Sequence, residues 1–145
     1  MAEQPSNRDV VELVRGFFAA ASGGDLDALA DCCQVDAVWD ATCWGLGVAG
    51  GREKIRRLVE DWTGSFAEYE VKPTEIDELG DGIAVVTVER SGRPSGSRSE
   101  IRLSDAVLFI CSEGRVVRMT NFAGVGEARA AGEGLARAAG AADAA

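Results

Sequence analysis

The chain of 145 residues contains no histidine. That absence rules out Ser-His-Asp and Cys-His nucleophilic machinery and removes the commonest metal ligand, so any proton chemistry falls to carboxylates, Tyr69 or lysine. The four cysteines, Cys32, Cys33, Cys43 and Cys111, lack C-x-x-C spacing and two are adjacent, which suits neither a disulfide framework nor a zinc site. They read as small buried hydrophobes, and no metal is expected. No apolar run approaches a membrane span. Positive charge is also scarce: 15 Lys+Arg stand against 24 Asp+Glu, for a net charge of −9. The basic residues are scattered, which argues against nucleic acid and anionic membranes as partners. Near the N-terminus Glu12 and Arg15 interrupt any signal-like apolar core, and no basic segment precedes it. A cytoplasmic location is expected.

What is present is the profile of a globular protein, 46% hydrophobic and 27% charged, at a length that suits a single domain over 1–145. Val10, Val11, Val14, Phe17, Phe18 and Ala21 recur at helical spacing after the capping candidates Ser6 and Asn7, and Gly23-Gly24 follows as a stop. Asp25 can cap a short second helix with an apolar stripe of Leu26, Leu29, Ala30 and Cys33. "VDAVWDAT" alternates as a strand would, and after Gly50-Gly51 a third helix places Ile55, Leu58, Val59, Trp62 and Phe66 on one face. Four strands follow: "EYEVKPTEIDEL", whose proline favours an edge or a bulge, then "IAVVTVER", "SEIRLSDAVLFIC" and "RVVRMTNF". "GDG", "SGRPSGS" and "SEG" make the turns between them. The core spans about residues 7–122. The Ala/Gly-rich tail over 123–145 is expected to be partly helical and frayed, because Gly132, Gly134 and Gly140 weaken it.

This order, with "VVELVRGFFAAASGGDLDALA", "VDAVWD", "GGREKIRRLVEDW" and "EGRVVRM", resembles the nuclear transport factor 2-like superfamily, and within it SnoaL-like and ketosteroid isomerase-like domains. The resemblance covers about residues 8 to 122. It implies an α+β fold: a cone-shaped, curved, mostly antiparallel sheet with about three N-terminal helices packed on its concave face. It also implies an apolar cavity for a small lipophilic ligand, a homodimer through the sheet, and, where members are enzymes, cofactor-independent isomerase or cyclase chemistry. In ketosteroid isomerases a carboxylate base ends the first strand. Asp40 matches it with a one-residue gap, whereas Thr42 matches without one. Asp105 in "SDAVLF" matches the second acid, which donates to the oxyanion, while the tyrosine donor of the first helix aligns with Phe17, which has no hydroxyl.

Moving a proton beside a carbonyl needs an ionised base and a donor aimed at the oxygen where charge develops. Asp40 is therefore either a pocket acid or base, or a strand-end residue bonded to its own loop. Asp105 shares a strand face with Ile101, Leu103, Val107 and Phe109. If that face is inward, burial would keep Asp105 a neutral donor; if the face of Ala106, Leu108 and Ile110 is the buried one, Asp105 meets water or a partner.

The aromatics carry similar alternatives. Trp39 adjoins Asp40, and Trp62 and Phe66 lie on a buried stripe that packs the core or walls a pocket. Trp44, in a loop, suits a lid or a dimer contact equally. Tyr69 is a substitute donor or an ordinary strand residue. Asn121 hydrogen-bonds a ligand or caps its strand end. "GGREK" lacks the spacing of a phosphate-binding loop and starts the third helix, leaving Arg52, Arg56 and Arg57 as a solvated face. No cofactor is expected. The leading expectation is binding of a lipophilic molecule with possible proton transfer by Asp40 and Asp105. Its rivals are a non-catalytic binding or dimerisation module and, third, an epoxide hydrolase, which needs two acids bridged by an arginine.

Overall fold

Alternation at period two writes most of the sheet, and the computed structural model describes its backbone over residues 5–144, with side chains over 10–139. The chain runs α1 (Pro5–Gly23), α2 (Leu26–Asp31), β1 (Cys33–Asp40), a 3-10 turn (Thr42–Trp44), β2 (Val48–Gly50), α3 (Arg52–Gly64), β3 (Phe66–Gly80), β4 (Ile83–Pro94), β5 (Ile101–Ser112), β6 (Arg115–Phe122) and α4 (Val125–Ala144). The six strands form one sheet in the order β2-β1-β6-β5-β4-β3. β1 pairs parallel with β6, and every other pairing is antiparallel. The fold is the curved α+β cone. No described helix is long and apolar enough to cross a membrane.

The first helix ends as its glycines suggest, but it begins at Pro5, so Ser6 and Asn7 fall within its first turn and their side chains lie outside the described residues. Val10, Val14, Phe17, Phe18 and Ala21 are its buried stripe. Ser22 clamps the end of α1 to β3, its hydroxyl donating to the Val71 carbonyl at 2.6 Å and accepting from the Val71 amide at 2.8 Å. Asp25 caps α2 through the Ala28 amide at 3.1 Å. Pro73 sits on the edge strand β3 next to a register shift, which combines both roles open to a strand proline.

Two expectations need correction, and the helix expected in part of the tail runs further. Phe66 does not continue the stripe of α3: the helix stops at Gly64, and Phe66 opens β3. A short strand, β2, borders β1, where three residues were too few to show a period. The tail forms a helix, α4, that packs Ala128 and, from its partly buried residues, Ala131 and Ala136 against Ile83, Val85, Ala106 and Leu108 on the outer face of the sheet. Gly132 explains how. A Cβ there would stand 2.7 Å from Leu79 Cδ1 and 3.1 Å from Leu108 Cδ1. The glycine that costs helix propensity lets α4 approach the sheet closely, and burial outweighs propensity. α4 thus covers part of the outer face, where the resemblance would seat a second subunit.

Candidate functional site

The inward face of β5 settles the orientation of Asp105. Val107 and Phe109 line a cavity on the concave side, and Asp105 and Leu103 continue the same face by period two. On β4, Val88 stands opposite Asp105 and Arg90 opposite Leu103, so Arg90 lies diagonally across from Asp105 on the inward face. The guanidinium grips the carboxylate with two prongs, Nε to Oδ1 at 2.8 Å and Nη2 to Oδ2 at 3.3 Å. On the other side β3 sets Val71 opposite Arg90, which brings Tyr69 to the next diagonal, and Arg90 Nη1 donates to its hydroxyl oxygen at 2.9 Å. Arg90 and Asp105 are each only 8% exposed. A buried ion pair is tolerated when such hydrogen bonds satisfy both charges.

Asp105 therefore accepts two N–H groups from the Arg90 guanidinium. The expectation missed this because it lacked the arginine that the β4 register delivers. Nor does Asp105 line the cavity, which Arg90 and Tyr69 do.

Above this group lies a continuous aromatic wall. Trp44 stacks on Trp62 with ring centroids 5.5 Å apart and planes 29° apart, and the Arg90 guanidinium sits 4.4 Å from the Trp44 ring centroid. Trp39 meets Trp44 edge-on at 6.5 Å, and Trp62, Phe66 and Tyr69 are in mutual ring contact. Deeper, Phe17, Phe18 and Phe109 pack edge to face at 5.4–5.7 Å. Trp39 Nε1 donates to Asn121 Oδ1, a bond that joins β1 to β6 across the parallel pair. The space left among these side chains is a cavity of about 40 Å³, lined among others by Phe17, Trp39, Trp62, Tyr69, Arg90 and Asn121. That volume holds a few waters; a ligand of drug size needs several hundred Å³.

Asp40 is elsewhere. Its Oδ1 accepts from the Thr42 amide at 3.1 Å and from the Thr42 hydroxyl at 2.7 Å, and Arg118 Nη2 approaches Oδ2 at 3.4 Å. The Thr42 hydroxyl above all, then the Thr42 amide, holds its carboxyl below the ordinary aspartate range, with Arg118 adding to the effect. Asp40 does not line the cavity; it organises the turn that carries Trp44. That turn is closed by Ala41 N–H to Gly47 O at 2.8 Å and passes through Gly45 and Gly47, both at φ near +80°.

The SnoaL-like domain profile matches residues 14–119 of the sequence. The chain belongs to this family. No curated protein sequence matches the SnoaL-like chain, but solved structures share its fold. One is a hypothetical protein with a ketosteroid isomerase-like fold from Catenulispora acidiphila in complex with trimethylamine, at 18% identity and TM-score 0.71, covering 78% of this chain and 85% of that one. Another is TerC co-crystallised with polyporic acid, at 18% identity and TM-score 0.69, covering 79% and 90%. A third is an LEH-like epoxide hydrolase from M. tuberculosis, at 16% identity and TM-score 0.68, covering 86% and 92%. At these identities the likeness speaks for the fold alone.

In this SnoaL-like cone the residues singled out from sequence divide cleanly. Phe17, Trp39, Trp62, Tyr69 and Asn121 line the cavity; Trp44 and Phe66 complete its aromatic wall; Asp105 anchors Arg90 from behind; Asp40 stands outside. Sequence reasoning missed Arg90. A signal existed: Ala84, Val86 and Val88 alternate inward, and Arg90 takes the next inward position, a cation where an apolar residue is due. The cysteines also divide. Burial pushes the Cys33 and Cys111 thiols up to about 12, as suits inert core residues, whereas Cys43 is exposed and is not the buried hydrophobe expected.

Proposed function

We propose that this SnoaL-like domain binds a small lipophilic molecule on the concave side of its sheet, in a space that Trp44 occupies when no ligand is bound. The observation that carries the reading is the mismatch between wall and void. An unbroken aromatic wall with a buried ion pair and an inward amide surrounds only about 40 Å³. A ligand must therefore displace something. Trp44 is half-exposed, sits on a short turn with two glycines at positive φ, and is held by ring stacking and a cation–π contact, together worth about 1–2 kcal/mol. Structural relatives co-crystallised with small organic molecules lend support.

Binding is preferred to proton transfer because no described carboxylate lines the cavity. An epoxide hydrolase-like reading gains an arginine paired with an acid, Arg90 with Asp105, but the third guanidinium contact goes to Tyr69 where a second acid would be needed. Native mass spectrometry and thermal-shift screening against steroids, polyketides and terpenoids test the proposal. A ligand at about 100 times its Kd should raise stability by about 2.7 kcal/mol. Ligand binding should also change tryptophan fluorescence, and Trp44→Ala should remove most of that change. A panel in which nothing shifts stability would favour the interaction-module reading, with the homodimer expected from the resemblance as its first candidate.

A further inference from the structure

The two edges of the sheet are finished differently. Along β3 the open edge is guarded: Ser22 takes both the N–H and the carbonyl of Val71, and Glu68, Glu70, Glu75 and Asp77 are spaced along the strand. Charged residues and covered backbone are common means by which an edge refuses a further strand. Beyond β2, at the other end of the sheet, stand Leu46 and Val48, 38% and 58% exposed. They share a groove of about 260 Å³ with the half-buried Leu58 of α3 and with Lys54, Arg57 and Asp61.

The helix positions in this groove form one stripe. At about 100° per residue, Lys54, Arg57, Leu58 and Asp61 fall on one side of α3. The three charged side chains are exposed, and among the described residues none of them has an ion pair within the chain, although Arg57 and Asp61 stand four apart, where such a pair can close. Their order also runs against the helix. Lys54 lies in the first turn of α3 and Asp61 in the last, each at the end where the macrodipole disfavours its charge.

Charges set where their own helix opposes them, with no partner in their own chain, point to a partner outside it. The stripe is its own complement. An antiparallel copy of α3, related by a two-fold axis between Arg57 and Leu58, sets Lys54 against Asp61 of the second copy at both ends and Arg57 over Leu58 at the centre.

We propose that α3 and the β2 edge form an isologous contact between two copies of this chain, with Leu46 and Val48 covered in the same contact. This surface is distinct from the outer face of the sheet that α4 covers, and the inference does not depend on the cavity. The patch offers far fewer side chains than the about 20–30 residues a side of a standard interface, so the association is weak, with a Kd between about 1 μM and 1 mM.

Sedimentation equilibrium on the full chain, at concentrations spanning about 10 μM to 1 mM, tests the contact. The chain should pass reversibly from monomer to dimer with no larger species, because a two-fold contact closes on itself. Lys54→Asp and Asp61→Lys each set like charges against one another twice, and each should raise Kd at least about tenfold. The double variant K54D/D61K restores both attractions and should return Kd to within about threefold of the parent. Both substitutions agree with the macrodipole of α3, so the variants keep the fold. Net charge alone does not produce this pattern: one substitution makes the chain more acidic and the other less, which moves Kd in opposite directions. A monomer at every concentration overturns the proposal. So does a dimer indifferent to the single variants, shifted by them in opposite directions, or not restored by the double variant; the cavity reading survives each of these results.

Discussion

On the outer face of β5, Ala106 and Leu108 meet Ile83, Val85 and Ala128, with Gly132 letting the helix come close. On the inner face of the same strand, Val107 and Phe109 join large rings that leave a cavity, and Asp105 holds a buried arginine. On the outer face aliphatic side chains pack against a close helix; on the inner one large rings, limited to staggered rotamers, leave space between them. The outer face thus has the economy of a structural contact. The inner one keeps an ion pair, the unpaired Trp62 indole N–H and a void, which are costs that stability alone does not explain.

The comparison can be broken from either side. The largest effect should come from Asp105→Asn, which strands the Arg90 charge in the interior. Stability measured by urea unfolding should fall by about 3–5 kcal/mol, whereas R90M combined with D105L should restore most of it. If the single and double variants are equally unstable, the pair is not what the inner face protects. On the outer face, Gly132→Leu should cost about 1–3 kcal/mol by overpacking, read in the same unfolding experiment. A neutral result would mean that α4 does not seat on the sheet. Trp44→Ala should cost less, about 1–2 kcal/mol, since its ring is half-exposed, and it should enlarge the cavity, seen as tighter uptake of apolar probes.

The smallest effect concerns pH. The Asp40 carboxyl is held below its ordinary range by Thr42. Its contribution is therefore fully present above about pH 4, the usual aspartate value, and is lost as pH falls through the lower folded value. An acid titration of tryptophan fluorescence should show this step, and Asp40→Asn should abolish it. A step that persists in the variant assigns it to another group.

Sequence carried much of this. The strand "RVVRMTNF" coincides with β6, the Asp25 cap is where its chemistry puts it, and the SnoaL-like order of elements is the observed one. Phe17, Trp39, Trp62, Tyr69 and Asn121 were singled out from sequence with core packing, an ordinary strand place or a strand cap left open for several of them, and all five lie at the cavity wall. Asp40 and Asp105 were harder. Each is placed by a partner far away in sequence or by its local turn: Asp105 by Arg90 fifteen residues earlier, Asp40 by Thr42 two residues later.

What the sequence by itself determined is local and periodic: which residues alternate, which recur at helical spacing, which chemistries the absence of histidine removes. Tertiary structure alone decided that two diagonals across β3, β4 and β5 would bring Tyr69, Arg90 and Asp105 together, and that a glycine-rich tail would become a packed helix. The physical reason is the same for both. Register and burial are properties of neighbours across the sheet, and a single strand read alone does not contain its neighbours.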